Sequence, residues 1–330
     1  MSTFSHRVTE EGRQIGHFAT PLASSNHPHR HVLSIGRNWD NLHAPISGIA
    51  GAASQFFAAR NIKWWTSPVT GDPKGMQGPT HNLLSSQVAC LNVLLPLAND
   101  PDALTAMLRL LDPAVVSVVA VCDGHVSSPS LVEFEWVASK GFRSLEGTYA
   151  TRGQRVTSTD AFLVARLRTG ELRAYLMEWK YVETGTEVDK GLGSQGDTRR
   201  SRYRALFDQV FTPNAVLNDY LIDPVYQLMR LSLLARKILD EGQLAGVTSA
   251  RVVLVCPQTN EAYRTKRVSG LLQRRLGTTK VAEAMQAGLR DSRAFIDCAP
   301  AELVAAVRTL GTPSASRDAW LDYMNARYGW

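Results

Sequence analysis

The sequence predicts an α/β fold in which a central mixed β-sheet is flanked by α-helices. Three observations carry this. Apolar runs at 115–121, 161–167, 172–180 and 251–256 are rich in the β-branched and aromatic residues that suit strands. Longer runs with helical spacing come before them and after them. No Pro- or Ser-rich linker divides the 330 residues, of which 44% are hydrophobic, so one domain with a sizeable core is expected.

The elements follow in order. Residues 1–80 are rich in Gly, Pro, His and Ser and read mostly as loop, with a helix at 46–60. They are expected to pack on residues 81–330 as an N-terminal elaboration. The run 81–99 is helical, with Leu83, Val88, Leu91, Leu94 and Leu95 apolar. Asp100 is placed to cap a second helix at 101–111. Residues 131–140 fit a helix or a strand, and the alternating Glu133 and Glu135 leave the choice open. The strands 161–167 and 172–180 are joined by Arg168-Thr169-Gly170, a three-residue hairpin loop with Gly in the left-handed position. A polar, Gly-rich loop follows at 183–196, then a basic amphipathic helix at 198–210. The run 214–240 is helical with a break at Pro224, where Asp223 can cap the second part. Further helices are expected at 268–276, 281–289, 301–310 and 317–327.

The net charge of +6 leans toward a polyanionic partner. Two basic runs concentrate it: Arg199, Arg200, Arg202 and Arg204, then Arg264, Lys266, Arg267, Arg274 and Arg275. Cys90, Cys122, Cys256 and Cys298 are widely spaced with no C-x-x-C pair, so they are expected to be buried, reduced thiols. No run approaches the ~20 apolar residues of a membrane span, and residues 1–13 have no apolar signal region. A cytoplasmic protein is expected.

The chemistry concentrates at Asp160 and at Glu178-Trp179-Lys180. With a three-residue loop, Leu167 pairs with Glu171, and counting back sets Asp160 opposite Glu178. Directly opposed residues share a face, and Lys180 shares it because side chains alternate along a strand. A two-residue loop would set Asp160 opposite Trp179, on the wrong face. Two carboxylates suit Mg²⁺, which takes oxygen ligands and commonly completes its shell with substrate phosphate oxygens. The backbone carbonyl of Trp179 is a further candidate ligand. Lys180 would orient or deprotonate a water, or stabilise transition-state charge.

These residues carry a resemblance. Glu146, Arg152-Gly153 and Thr157-Ser158-Thr159-Asp160-Ala161, followed by Met177-Glu178-Trp179-Lys180-Tyr181-Val182-Glu183, resemble the PD-(D/E)XK nuclease superfamily. They look most like a bacterial group of restriction endonucleases with a Glu-Trp-Lys-Tyr-x-Glu run. Ser85 to Asn92 with Pro96-Leu97, and Asp223-Pro224-Val225-Tyr226-Gln227-Leu228-Met229-Arg230, are similar to further stretches of that group. The resemblance spans roughly residues 80–260. One departure is Thr159, where the superfamily's name motif has Pro.

The resemblance implies a restriction-endonuclease-like core and a Mg²⁺-dependent endonuclease, with Mn²⁺ able to substitute. It acts on DNA, double-stranded for preference with RNA left open, in restriction, phage defence or repair. It implies Asp160 and Glu178 as metal ligands and Lys180 as the catalytic lysine. Glu146 matches an acid supplied by a preceding helix that completes the metal shell, and Gln227 a glutamine reaching the site from the next helix. Arg152, Ser158, Arg199, Arg200, Arg202, Arg204, Lys266 and Arg267 are the expected nucleic-acid contacts. Trp179 and Tyr181 are assigned to opposite strand faces, with Trp179 in the core. A homodimer is an option for cutting two strands.

Other motifs weigh less. His27-Pro28-His29-Arg30-His31 has no nearby acid or thiolate and reads as a surface segment or nucleic-acid contact rather than a metal site. His125 with Ser127, Ser128 and Ser130 lacks a G-x-S-x-G context. Gly191, Gly193 and Gly196 have dinucleotide-loop spacing but not its strand-to-helix setting, and read as a lid or loop. The competing reading is a nucleic-acid-binding module, or an interaction subunit of a defence complex, with a vestigial metal site.

Overall fold

A computed structural model describes residues 5–18, 31–34, 36–66, 72, 76–147, 156–184, 188–265 and 268–330. Helices α1 (Ser5–His17), α2 (Ala52–Ala59), α3 (Ser86–Leu94) and α4 (Pro101–Leu111) precede strands β1 (Val115–Val119), β2 (Glu133–Trp136), β3 (Thr159–Leu167) and β4 (Leu172–Trp179). Then come α5 (Gly193–Val210), α6 (Val225–Asp240), β5 (Val247–Val255), α7 (Glu261–Arg264), α8 (Gly270–Leu276), α9 (Val281–Gly288), β6 (Phe295–Cys298), α10 (Pro300–Arg308) and α11 (Ala315–Tyr328). The six-stranded sheet runs β1-β3-β4-β5-β6, and β2 pairs with β3. Strands β1 and β2 are both antiparallel to β3, with β1 along residues 164–167 and β2 along 159–162. The pairs β4–β5 and β5–β6 are parallel, so the sheet is mixed. Among the described residues no helix is long and apolar enough to cross a membrane.

Side-chain alternation divides the sheet into two apolar faces. Ala161, Leu163 and Ala165 of β3, Tyr175 and Met177 of β4, and Val253 and Val255 of β5 join a core with α3, α4, α10 and α11. Leu42, Ile46, Ala53, Phe57 and Ile62 from the N-terminal region belong to that same core. On the other face Phe162, Val164, Ala174, Leu176, Val252 and Leu254 pack against α5, α6, α8 and α9.

The hairpin that sets the site has the expected loop. Gly170 is left-handed at φ +88° and donates its N–H to Leu167 O at 2.9 Å, and Leu167 N–H donates to Glu171 O at 2.8 Å. The pairing Ala161↔Met177 through Arg166↔Leu172 follows from that turn. Asp100 caps α4, accepting from Ala103 N–H at 2.9 Å.

Several expectations are corrected. Residues 5–17 form a helix whose inward stripe is polar: His6, Glu10 and Gln14, four apart, are buried. Their partner is Tyr181, whose carbonyl lies 2.9 Å from His6 Nε2 and whose hydroxyl bonds Glu10 and Gln14. A buried polar stripe gives no hydrophobic periodicity, which is why the sequence reads as loop. Helix α5 begins at Gly193, taking in residues assigned to a lid. Asp223 caps nothing: its side chain makes no cap bond to α6 and pairs with Lys190 at 3.0 Å. Residues 131–140 resolve into the strand β2, and β6 was missed because its four residues include the polar Asp297. Cys122 is exposed, whereas the other three free cysteines are buried. Trp179 and Tyr181 fall in one core rather than on opposite faces, as their spacing of two dictates.

Candidate active site

The first residues of β3 and the last of β4 lie at one end of the hairpin. Continuing the register one step beyond Ala161↔Met177 sets Asp160 against Glu178. Continuing the β2–β3 register between Phe134↔Ala161 and Trp136↔Thr159 sets Glu135 against Asp160 on its other side. Three carboxylates therefore stand in a row across β2, β3 and β4. Like charges on directly adjacent strands repel. Glu135 also sits in the left-handed backbone region at φ +45°, rare for a non-glycine residue and common where function imposes strain.

Local contacts hold the row. Asp160 Oδ2 accepts the Trp179 N–H at 2.6 Å. Gln87 of α3 donates to Glu135 at 2.9 Å, and Ser158 Oγ to its other oxygen at 3.3 Å. Lys180 Nζ lies 2.7 Å from Glu178 Oε1, and both side chains are about nine-tenths buried. Thr159 Oγ1 lies 2.8 and 2.7 Å from the carbonyls of Ala161 and Met177, so a buried hydroxyl braces the hairpin beside Asp160. The Trp179 indole is fully buried, and it is the Trp179 N–H, not its carbonyl, that meets Asp160.

The electrostatics follow from this crowding. Burial, then Glu178 and Glu135, push the Asp160 carboxyl well above the ordinary aspartate range against the pull of Lys180. Burial works against the Lys180 ammonium, but Glu178, then Tyr263, Glu183 and Asp160, outweigh it and raise its pKa. Lys180 is therefore protonated at neutral pH. Even Cys90, buried on α3, has its thiol pushed up by burial and by the same three acids.

Glu135, Asp160, Glu178, Lys180, Gln87 and Gln227 line one cavity of about 440 Å³, with Arg7 and Glu183 at its wall. Gln227, on the first turn of α6, also lines a second cavity of about 600 Å³. Glu146 belongs to that second cavity and does not join the acid row. Its carboxylate accepts from Thr157 N–H at 2.8 Å, Thr157 Oγ1 at 2.6 Å, Tyr203 Oη at 3.2 Å and Arg230 at 3.0 Å. Burial opposes but Arg230 and Thr157 prevail, holding the carboxyl below its usual range. The acid that completes the row is Glu135, and its signal was the Glu133/Glu135 alternation. Glu133 itself is spent on Arg60 at 2.7 Å.

Of the expected nucleic-acid contacts, Ser158 lies at the acid row. Arg199 donates to Lys190 O, and Arg200 to Gly191 O, each at 2.7 Å. Arg204 lies 3.5 Å from Asp208. Arg202 is exposed and has no ion-pair partner among the described residues. Arg152, Lys266 and Arg267 lie outside the described residues, as do His27, Pro28, His29 and Arg30. In the second basic run Arg264 binds Asp297 and the Cys256 carbonyl, Arg275 pairs with Asp219 at 2.7 Å, and Arg274 is exposed.

Whether the residues fit a divalent cation is decided by this donor set. Among the described residues no three His, Cys, Asp or Glu side chains converge on one point as they stand. Mg²⁺ does not need three, since one or two carboxylates with waters and substrate oxygens suffice. A row of adjacent acids, with Glu178 buried and Glu135 and Asp160 half-buried, that raises its central member's proton affinity is a site that a cation would relieve. The residues fit.

A mixed sheet with helices on both faces, and an acid row with a lysine at the end of its central hairpin, define a restriction-endonuclease-like core. The chain belongs to the family described as restriction endonuclease associating with ARP, whose model matches residues 71–329. No curated protein and no solved structure matches it.

Proposed function

We propose that the protein is a metal-dependent endonuclease that hydrolyses DNA phosphodiester bonds in restriction, phage defence or repair, and that it acts in association with ARP as the family description has it. The observation that supports this most is the row of half-buried Glu135 and Asp160 and buried Glu178, lining one cavity, with Lys180 paired at its end. Asp160 and Glu178 would hold Mg²⁺, and Glu135 would orient or extend that shell. When bound, Mg²⁺ neutralises charge at the phosphate and acidifies an attacking water. Lys180, 2.7 Å from Glu178, would orient or deprotonate the attacking water or bring positive charge to the phosphate. Gln227 faces the cavity, and its amide makes no hydrogen bond among the described residues, so it is free to meet substrate or water.

Incubation of the protein with duplex DNA and Mg²⁺, with its ARP partner supplied, tests this. Wild type is expected to cut. Asp160→Asn and Lys180→Gln should each lower the rate by about 10²-fold or more, while binding in Ca²⁺ persists. Equal cleavage by all three proteins would overturn the reading. Binding without any cleavage would favour a nucleic-acid-binding module with a vestigial site.

A further inference from the structure

Two cavities of opposite charge share the Gln227 wall. The acid cavity carries Glu135, Asp160, Glu178 and Glu183 against Arg7 and Lys180. The neighbouring cavity reverses the balance, with Lys190, Arg199, Arg202 and Arg230 against Glu146 and Asp223. Both of its acids are already neutralised, Glu146 by Arg230 at 3.0 Å and Asp223 by Lys190 at 3.0 Å. The charge left over is that of Arg199 and Arg202, three residues apart on one face of α5. Arg199 spends its shorter bond on the Lys190 carbonyl and lies over the Tyr226 ring at 5.9 Å, which aims it along the cavity. Arg202 has no ion pair among the described residues. Tyr203 and Tyr226 add two hydroxyls 3.4 Å apart.

We infer that this second cavity is a phosphate clamp for the same nucleic-acid strand. It would take the phosphodiester flanking the one held at the acid row and so fix which bond is presented for cleavage. This rests on the nuclease reading of the acid row. The physical case is complementarity. A divalent cation belongs in the acidic cavity, a backbone phosphate with no metal belongs in the cationic one, and a continuous strand can occupy both because they share a wall. Phosphate contacts of this kind set position and register without reading sequence. Buried Tyr203 donates to Glu146 and so helps hold the cavity's acid in its neutralised pairing with Arg230.

The test uses the full chain with a 20-nucleotide duplex. Arg202→Ala is the first variant, because Arg202 makes no contact whose loss would unfold the protein; Arg199→Lys with Arg202→Lys keeps charge as a control. In Ca²⁺, the salt slope of binding should fall by about one for each arginine removed. In Mg²⁺, KM should rise about tenfold with kcat nearly unchanged, and the lysine pair should restore most of it. A duplex with one neutral methylphosphonate beside the cleaved bond should weaken wild type and leave Arg202→Ala indifferent. Free inorganic phosphate that competes only at wild-type levels of affinity for duplex would mark a general anion site and overturn the strand assignment. An unchanged salt slope, or equal sensitivity of wild type and variant to the methylphosphonate, would overturn the clamp while the nuclease reading stood. A wild type that binds through these arginines but cuts nothing would overturn the nuclease reading, and the cleavage register with it.

Discussion

At the scale of single residues, neighbouring acids raise the proton affinity of both Lys180 and Asp160. Lys180 stays an ammonium because Glu178 lies 2.7 Å away, and Asp160 holds its proton tightly because burial and two flanking acids surround it. The pair has a stability consequence with a definite sign. The folded chain binds the Asp160 proton more strongly than the unfolded chain does, so folding is favoured below the ordinary aspartate range. That contribution is lost as pH rises through the raised folded pKa. Asp160→Asn removes the penalty. Without metal, the variant should melt about 2 °C or more above wild type at neutral pH, with the gap closing toward pH 4. Thermal melts in a chelator from pH 4 to 8 check this, and a variant less stable than wild type at pH 7 contradicts it. The roles of Asp160, Glu178 and Lys180 were open to proposal from sequence because hairpin counting is arithmetic: loop length fixes register, and register fixes face. Glu135 was not, since its partner is set by an edge strand whose type the sequence left open.

At the scale of elements, legibility tracked whether burial is apolar. Strands β3, β4 and β5 bury alternating hydrophobics on both faces, and helix α4 carries a cap residue, so each announces itself. Helix α1 buries His6, Glu10 and Gln14 and satisfies them on Tyr181, a chemistry with no periodic apolar signal. Glu146 was misplaced for the reverse reason. A carboxylate near the first acid looks available, and only the fold reveals that Arg230 and Thr157 already use it. Helix α5 shows how one glycine positions an element. A Cβ on Gly196 would lie 2.0 Å from the Gly191 carbonyl oxygen, so the first turn of α5 packs on backbone. Gly196→Ala should destabilise by about 1–3 kcal/mol and weaken DNA binding, because the helix whose first turn must move carries Arg199 and Arg202 in its next turns. Urea melts measure the first, and an unperturbed midpoint would show that the 189–191 segment yields freely.

At the scale of the whole molecule, both cores are built on one sheet, and the acid row lies where its antiparallel hairpin meets the parallel half. The strand β4 carries Glu178 and links the two, pairing with β3 on one side and β5 on the other. Residues near the N-terminus reach the site from outside the sheet: α1 braces the backbone at Tyr181, just past Lys180, and Arg7 lines the acid cavity. Charge is arranged at this scale as well, mainly acidic in the cavity at the hairpin end and mainly basic in the one next to it. The central claim is that the acidic row is the metal site. Crystals soaked in Mn²⁺ and measured at the manganese absorption edge test it most directly. The account predicts an anomalous peak between Asp160 and Glu178, within reach of Glu135, that is lost in Asp160→Asn and weakened in Glu135→Gln but retained in Glu146→Gln. A peak on Glu146, or none in the acid cavity, would contradict it.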